Sequence, residues 1–271
     1  MQRRRFIQAG LVMCVAGAAE IARAQTAEDI AYGEHWRQRL DVYTPEAKTN
    51  APRPIVVYFY GGSWRAGQRS DSRDIAQALA ARGVVTVTPD YRLFPEIRFP
   101  VFLDDAAAAV RWAYDHASDY GGDPHRIFVM GHSSGAHIAA MLATDPRYLK
   151  VQGLSNEKLA GMIGLAGPYA MIPPEPHMDE IFPEAQRAQA LPIDVITGHE
   201  PPMLLVTGTA DKVVDPRNSD RFADALRAHD DRVEVKRYGG LGHSRIVAAF
   251  LAAQRTDSPV VADVAAFIDA H

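Results

Sequence analysis

Seven short apolar runs alternate with segments of helical periodicity along this 271-residue chain, and that alternation leaves few architectures open. RLDVYTP (39–45), PIVVYFY (54–60), GVVTVTPDY (83–91), RIFVMG (126–131), LAGMIGLAG (159–167), PMLLVTG (202–208) and RVEVKRY (232–238) are bounded by Gly, Pro or polar residues, as strands are. Between them SDSRDIAQALAARG, PVFLDDAAAAVRWAYDHA, GAHIAAMLAT and DPRNSDRFADALRAH carry apolar residues at helical spacing, and a further helical region closes the chain. Strands separated by helices predict a mostly parallel sheet covered on both faces, an α/β fold. Residues about 171–201, with MIPPEPHMDEIF and HEPP, break the rhythm and predict either a small cap over a pocket or a long connection. Nothing else divides the chain, so residues 25–271 are expected to form a single domain.

With 47% hydrophobic and 23% charged residues, such a chain can bury a sizeable core. A formal net charge of −4, without basic clusters on the body of the chain, does not suggest a nucleic-acid partner; a small or neutral ligand fits better. The first residues, MQRRRFIQAGLVMCVAGAAEIARA, combine a basic start, an apolar stretch and the small-x-small pattern Ala22-Arg23-Ala24. They predict an export signal over residues 1–24, with Arg3-Arg4-Arg5-Phe6-Ile7 in twin-arginine style, and hence a periplasmic protein. A membrane anchor is the alternative, although the apolar stretch is shorter than the ~20 residues a span needs, so no stable span is expected in the mature chain. Removal would take four of the 29 basic and one of the 33 acidic side chains, moving the net charge to −7. It would also take Cys14, the only cysteine, leaving neither a disulfide nor a thiol nucleophile.

The run IFVMG ends in the cluster Gly131-His132-Ser133-Ser134-Gly135, which fits G-x-S-x-G. A serine at the tip of a tight strand-to-helix turn leaves no room for side chains two positions away, and glycines stand at those positions only around Ser133. Ser134 would need glycines at 132 and 136, where the chain has His132 and Ala136. Ser133 is therefore the expected nucleophile, and the Ser134 backbone N–H, at the start of the next helix, is an expected donor to a developing oxyanion.

A serine hydroxyl needs a base, and the base needs an orienting group. Asp211 follows the run PMLLVTG and His243 follows RVEVKRY, so the predicted triad is Ser133, Asp211 and His243. Asp215 competes with Asp211, but its place before Pro216 suits a helix cap. The other histidines lack such a position, and no H-E-x-x-H spacing suggests a metal, so neither metal nor cofactor is expected. Gly62 and Ser63 of YGGSW are further expected backbone donors, unless that loop is an ordinary turn. Trp64, Tyr169, Met171, Phe182 and Ile246 are candidates for an apolar substrate pocket, with the core as the equal alternative for each.

YGGSW, PDYRL, YGGDPHRIFVMGHSSGAH, GTADKVVDP and GLGHS, in this order, resemble the carboxylesterase branch of the α/β-hydrolases over about residues 36–271. They are similar to microbial serine esterases, isoprenylcysteine methylesterases and kynurenine formamidases. The resemblance implies an eight-stranded sheet, a Ser-His-Asp triad and an acyl-enzyme mechanism, and a cap as short as residues 171–201 favours small or aryl esters over long triglycerides. Amide or formamide cleavage by the same triad is the alternative, and a silent hydrolase-fold binding module is the alternative of another class. Tyr60 stands where those families usually carry His, which bears on the geometry of the loop after it. Asp90, Asp104 and Asp123 are expected to cap or turn the chain. Oligomeric state is not legible.

Overall fold

The computed structural model describes residues 24–47, 49, 51–252 and 258–271. The expected export signal, apart from Ala24, lies outside the described residues, and Cys14 with it. Eight strands are present: β1 (Gln25–Ala31), β2 (Arg39–Thr44), β3 (Arg53–Phe59), β4 (Val85–Pro89), β5 (Gly122–His132), β6 (Gly161–Leu165), β7 (Met203–Gly208) and β8 (Val233–Tyr238). They form one sheet in the order β1-β2-β4-β3-β5-β6-β7-β8. β2 runs antiparallel to both β1 and β4, and every other pairing is parallel.

Every residue of β4, β6 and β7 is buried, which requires cover on both faces and explains their unbroken apolar sequence. The edge strands β1 and β8 are half-exposed and carry charge. The seven apolar runs became β2 to β8; β1, QTAEDIA, has too few apolar residues to be read as a strand and is held by its pairing with β2.

Helices α1 (Arg73–Ala80), α2 (Val101–Asp115), α3 (Ser134–Thr144), α4 (Pro146–Val151), α5 (Met178–Ile181), α6 (Arg217–Ala228), α7 (His243–Ala248) and α8 (Pro259–Ala270) connect or flank the strands. α3 is buried along its whole length, packed on β5 and β6, which suits its run of Ala, Met and Leu. The insertion over 171–201 folds into short helical turns around α5. It is fastened at several points: Asn218 Oδ1 accepts from the backbone N–H groups of Ala170 (3.0 Å) and Met171 (2.8 Å), Phe99 N–H donates to Ile181 O (2.9 Å), and Phe182 and Ala190 are buried.

Candidate active site

β5 delivers Ser133 to its carboxyl end, beside the carboxyl ends of β3 and β6. Ser133 has φ 55° and ψ −122°, a conformation costly for a residue with a Cβ, held here on both sides. Its N–H donates to Leu165 O at 2.9 Å, and its carbonyl accepts from Ala136 N–H (3.0 Å) and His137 N–H (3.1 Å) as α3 begins. A Cβ on Gly131 would strike the backbone of Gly135, and one on Gly135 would strike the carbonyl oxygens of Phe59 and Tyr60. Both elbow glycines are therefore demanded by backbone packed against backbone.

Asp211 and His243 arrive on neighbouring loops because the β7–β8 pairing continues past the strands. Thr209 N–H donates to Tyr238 O (3.0 Å), Ala210 N–H to Leu241 O (3.0 Å) and Gly240 N–H to Thr209 Oγ1 (3.0 Å). His243 Nδ1 then lies 2.8 Å from Asp211 Oδ2, and its Nε2 lies 2.9 Å from Ser133 Oγ. With the ring proton on Nδ1, the ring donates to Asp211 and accepts from the Ser133 hydroxyl. Burial raises the Asp211 carboxyl, but the His243 bond and the N–H groups of Val213 (2.8 Å) and Val214 (3.0 Å) outweigh it and hold the group below the usual carboxylate range. An ionised Asp211 fixes that tautomer and favours imidazolium formation. Asp215 lies outside this line: its carboxylate binds Arg217 and its carbonyl accepts from Asn218 N–H at the start of α6.

The loop after β3 carries Gly62 (φ 140°), Ser63 (φ 52°) and Trp64 (φ 58°) in succession. Among the described residues, the backbone N–H groups of Gly62, Ser63 and Ser134 form no hydrogen bond. Gly61 also sits tightly, since a Cβ there would press on His132 and on Ser133 Cβ at 3.0 Å. Tyr60, in the place of the expected His, turns its hydroxyl away into a charged cluster. It accepts from Arg37 Nη2 at 2.8 Å and donates to Asp90 Oδ1 at 3.1 Å, while its ring stacks on Tyr91 at 4.6 Å. Burial, followed by the nearby Asp90 carboxylate, pushes that phenol well above its ordinary range. Asp90, expected to cap or turn the chain, accepts from the backbone N–H of Arg69 at the start of a short 3-10 turn (2.8 Å) and also pairs with the Arg69 guanidinium at 2.7 Å. Asp123 does turn the chain, accepting from His125 N–H at 2.8 Å.

A cleft of about 340 Å³ opens over Ser133 and His243, lined also by Tyr58, Tyr60, Val213 and Val247. Of the five pocket candidates, none lines it. Trp64, Tyr169, Phe182 and Ile246 take the core alternative: Trp64 stands edge-on to Phe182 at 4.8 Å, and Tyr169 stacks on Phe222 at 5.0 Å. Met171 borders a neighbouring cleft beside Asp211, Lys212 and Val213. Rings of this size pay more when wholly buried beneath the loops than at their surface.

Two histidines that sequence reasoning passed over stand close to the site. The His132 ring lies 4.6 Å from that of His243, with its Nε2 3.3 Å from the His243 carbonyl. Burial and the neighbouring His243 lower it to about 3, so it stays neutral and adds no second cation. His137, on α3, donates from Nε2 to Ala190 O at 2.7 Å, joining the insertion to the helix that follows Ser133. Its partner is a backbone carbonyl 53 residues away, which leaves no local pattern to read. Among the described residues, no group of three or more His, Cys, Asp or Glu is placed to hold a metal ion, and no helix is long and apolar enough to cross a membrane.

Two family models match the chain, BD-FAE over residues 40–172 and serine hydrolase (FSH1) over residues 113–243. The chain is similar to the isoprenylcysteine alpha-carbonyl methylesterase ICME of Arabidopsis thaliana, 28% identical over 244 residues, and to esterase LipC of Mycobacterium tuberculosis, 29% identical over 251 residues. These matches cover 81% and 84% of this chain but only 57% and 62% of those proteins, so the chain spans little more than half the length of such relatives. Among solved structures, the native thermophilic esterase Est2 of Thermogutta terrifontis superposes with a TM-score of 0.70 at 26% identity, covering 88% of this chain and 90% of that one. A truncated carbohydrate esterase from gut microbiota gives 0.77 at 20% identity, over 93% and 98%, a likeness of fold.

Proposed function

We propose that this chain is an α/β-hydrolase that cleaves carboxylic esters through an acyl-enzyme on Ser133. One observation carries the reading: the unbroken line from Asp211 Oδ2 through His243 to Ser133 Oγ, at 2.8 and 2.9 Å, beside backbone N–H groups without acceptors. His243 Nε2 takes the hydroxyl proton as Ser133 Oγ bonds to the ester carbonyl carbon, and the N–H groups of Ser134 with Gly62 or Ser63 receive the oxyanion. The C–O bond to the alcohol breaks as His243 returns the proton to the departing oxygen. Water then attacks the acyl-enzyme, giving its proton to His243, and the acid leaves as Ser133 regains its hydrogen.

Small or aryl esters suit a cleft of about 340 Å³ walled by Val213, Val247 and Tyr58. The residues over 25–271 act as one catalytic domain in this reading, and the basic, apolar and small-x-small pattern of residues 1–24 supports export to the periplasm. Steady-state hydrolysis of p-nitrophenyl esters of increasing acyl length, in parallel with N-formylkynurenine, tests the reaction. Turnover of the short esters that is lost in Ser133→Ala is expected; full activity in that variant, or fluorophosphonate labelling elsewhere, overturns it. Fractionation of tagged protein tests export, and unprocessed protein in the cytoplasm overturns that part.

A further inference from the structure

The loop that holds Gly62 and Ser63 is bound at both ends. Arg65 N–H and Ala66 N–H close a turn on Gly62 O at 3.1 and 3.0 Å, and Trp64, its indole buried, accepts from Phe94 N–H on its carbonyl at 2.9 Å. Ser63 lies between these anchors at φ 52°, in a region that residues with a Cβ seldom occupy, and its own N–H is without an acceptor. What holds it is its side chain: Ser63 Oγ donates to Glu175 Oε2 at 2.6 Å, across 112 residues of sequence.

Glu175 belongs to the 171–201 insertion, whose Phe182 also packs edge-on to Trp64, the residue after Ser63, at 4.8 Å. Its backbone is itself constrained, since its N–H donates to Pro173 O at 2.8 Å and its carbonyl accepts from Met178 N–H at 3.4 Å. A carboxylate so held accepts from a hydroxyl in a short, charge-assisted bond with a defined direction. A rotation of the Ser63 backbone would carry its Cβ and Oγ away from Glu175 and break that bond.

We propose that Glu175 is a positioning residue: its carboxylate fixes Ser63, and through it the direction of the Gly62 and Ser63 N–H groups, so that the insertion completes the oxyanion loop. This rests on Ser133 being the nucleophile. Glu175 does not line the cleft over Ser133, and its carboxylate bonds to Ser63; it acts on the transition state through Ser63 alone.

The test uses the full chain with Glu175→Ala, Glu175→Gln, Ser63→Ala and the double variant Ser63→Ala/Glu175→Ala. Turnover of p-nitrophenyl acetate and the rate of Ser133 labelling by a fluorophosphonate are read together. Both alanine variants are expected to lose about 10-fold in kcat with KM nearly unchanged, a fraction of what a missing oxyanion donor costs. The double variant should fall no further than the worse single one, and Glu175→Gln, which keeps an acceptor oxygen, should recover to within about 3-fold of the parent. A rise in KM at constant kcat, losses that multiply in the double variant, or equal losses in the Gln and Ala variants would overturn it. If the parent turns over no ester yet labels at Ser133, the esterase reading fails while the labelling rates of the variants still decide the role of Glu175.

Discussion

Gly135 packs so closely on Phe59 that a Cβ there would strike the Phe59 carbonyl oxygen, so the first turn of α3 sits directly on the end of β3. One contact thereby joins the two pieces of the site, the serine at the tip of β5 and the donor loop after β3.

That contact leaves no space for a methyl group, because what a Cβ would meet is backbone and not the far end of a side chain. Gly135→Ala is expected to cost about 3 kcal/mol of stability, at the upper end for overpacking, with the proposed turnover at Ser133 lost as the elbow shifts. Gly239→Ala, where a Cβ has nothing within 4 Å, should change stability by less than about 0.5 kcal/mol. Urea unfolding of the two variants measures the contrast, and equal stabilities would refute it.

The two aspartates after β7 separate cleanly. Asp211 orients His243, whereas the exposed Asp215 binds Arg217. Asp211→Asn is expected to lower kcat by about 10³ to 10⁴-fold with little change in KM, since an amide can turn the imidazole to the wrong tautomer. Asp215→Asn should leave kcat within about twofold, as changes at exposed surface positions generally do. Steady-state kinetics on one ester decides between them, and a comparable loss in both variants would remove Asp211 from its special place.

The separation could be anticipated because Asp215 precedes a proline that starts a helix, a local signal. Ser133 was legible for a similar reason: its demand for glycines two positions away is written in five adjacent residues. The sheet was legible where burial on both faces forces unbroken apolar runs, and illegible at β1, where pairing with β2 supplies what the side chains of QTAEDIA do not. Trp64, Tyr169, Phe182 and Ile246 show another limit, since aromatic and aliphatic residues near a site read alike whether they line it or lie beneath it. The contacts of Glu175 with Ser63 and of His137 with Ala190 span 112 and 53 residues, and only the folded chain brings them together.

His137 makes the fold sensitive to acid. Burial lowers it to about 4 and, together with the nearby His243, lowers His132 to about 3. Both rings stay neutral in the folded chain while an unfolded histidine takes up a proton near ~6.5. Below that value the unfolded state binds more protons, so stability is intact above ~6.5 and falls as the pH drops toward 4, by about 1.4 kcal/mol per pH unit for each ring. His137→Gln, which retains a donor for Ala190 O, should reduce the slope of unfolding free energy against pH by about one proton over that window. Urea unfolding at pH 7, 6 and 5 measures this; an unchanged slope would exclude His137 as a source.

Asp231 works with the opposite sign. Burial works against the charge of Glu200, but the neighbouring Asp231 carboxyl and the N–H groups of Thr197 (2.6 Å), Gly198 (2.8 Å) and His199 (3.0 Å) outweigh it and hold the group below the usual carboxylate range. Burial and the adjacent Glu200 carboxylate raise Asp231 to about 6, against ~3.9 for an unfolded aspartate. Between those values the folded chain binds the extra proton, so the contribution of this group is fully present below ~3.9 and is lost as the pH rises through about 6. An asparagine there carries no charge at any pH and offers an N–H toward Glu200. Asp231→Asn should therefore raise stability at pH 8 by about 1 kcal/mol, the full shift being discounted for partial exposure to solvent, and the gain should fade below pH ~5. Unfolding free energies of parent and variant at pH 8 and pH 4.5 make the comparison, and a variant less stable at pH 8 would mean that the second carboxylate is needed as an acceptor.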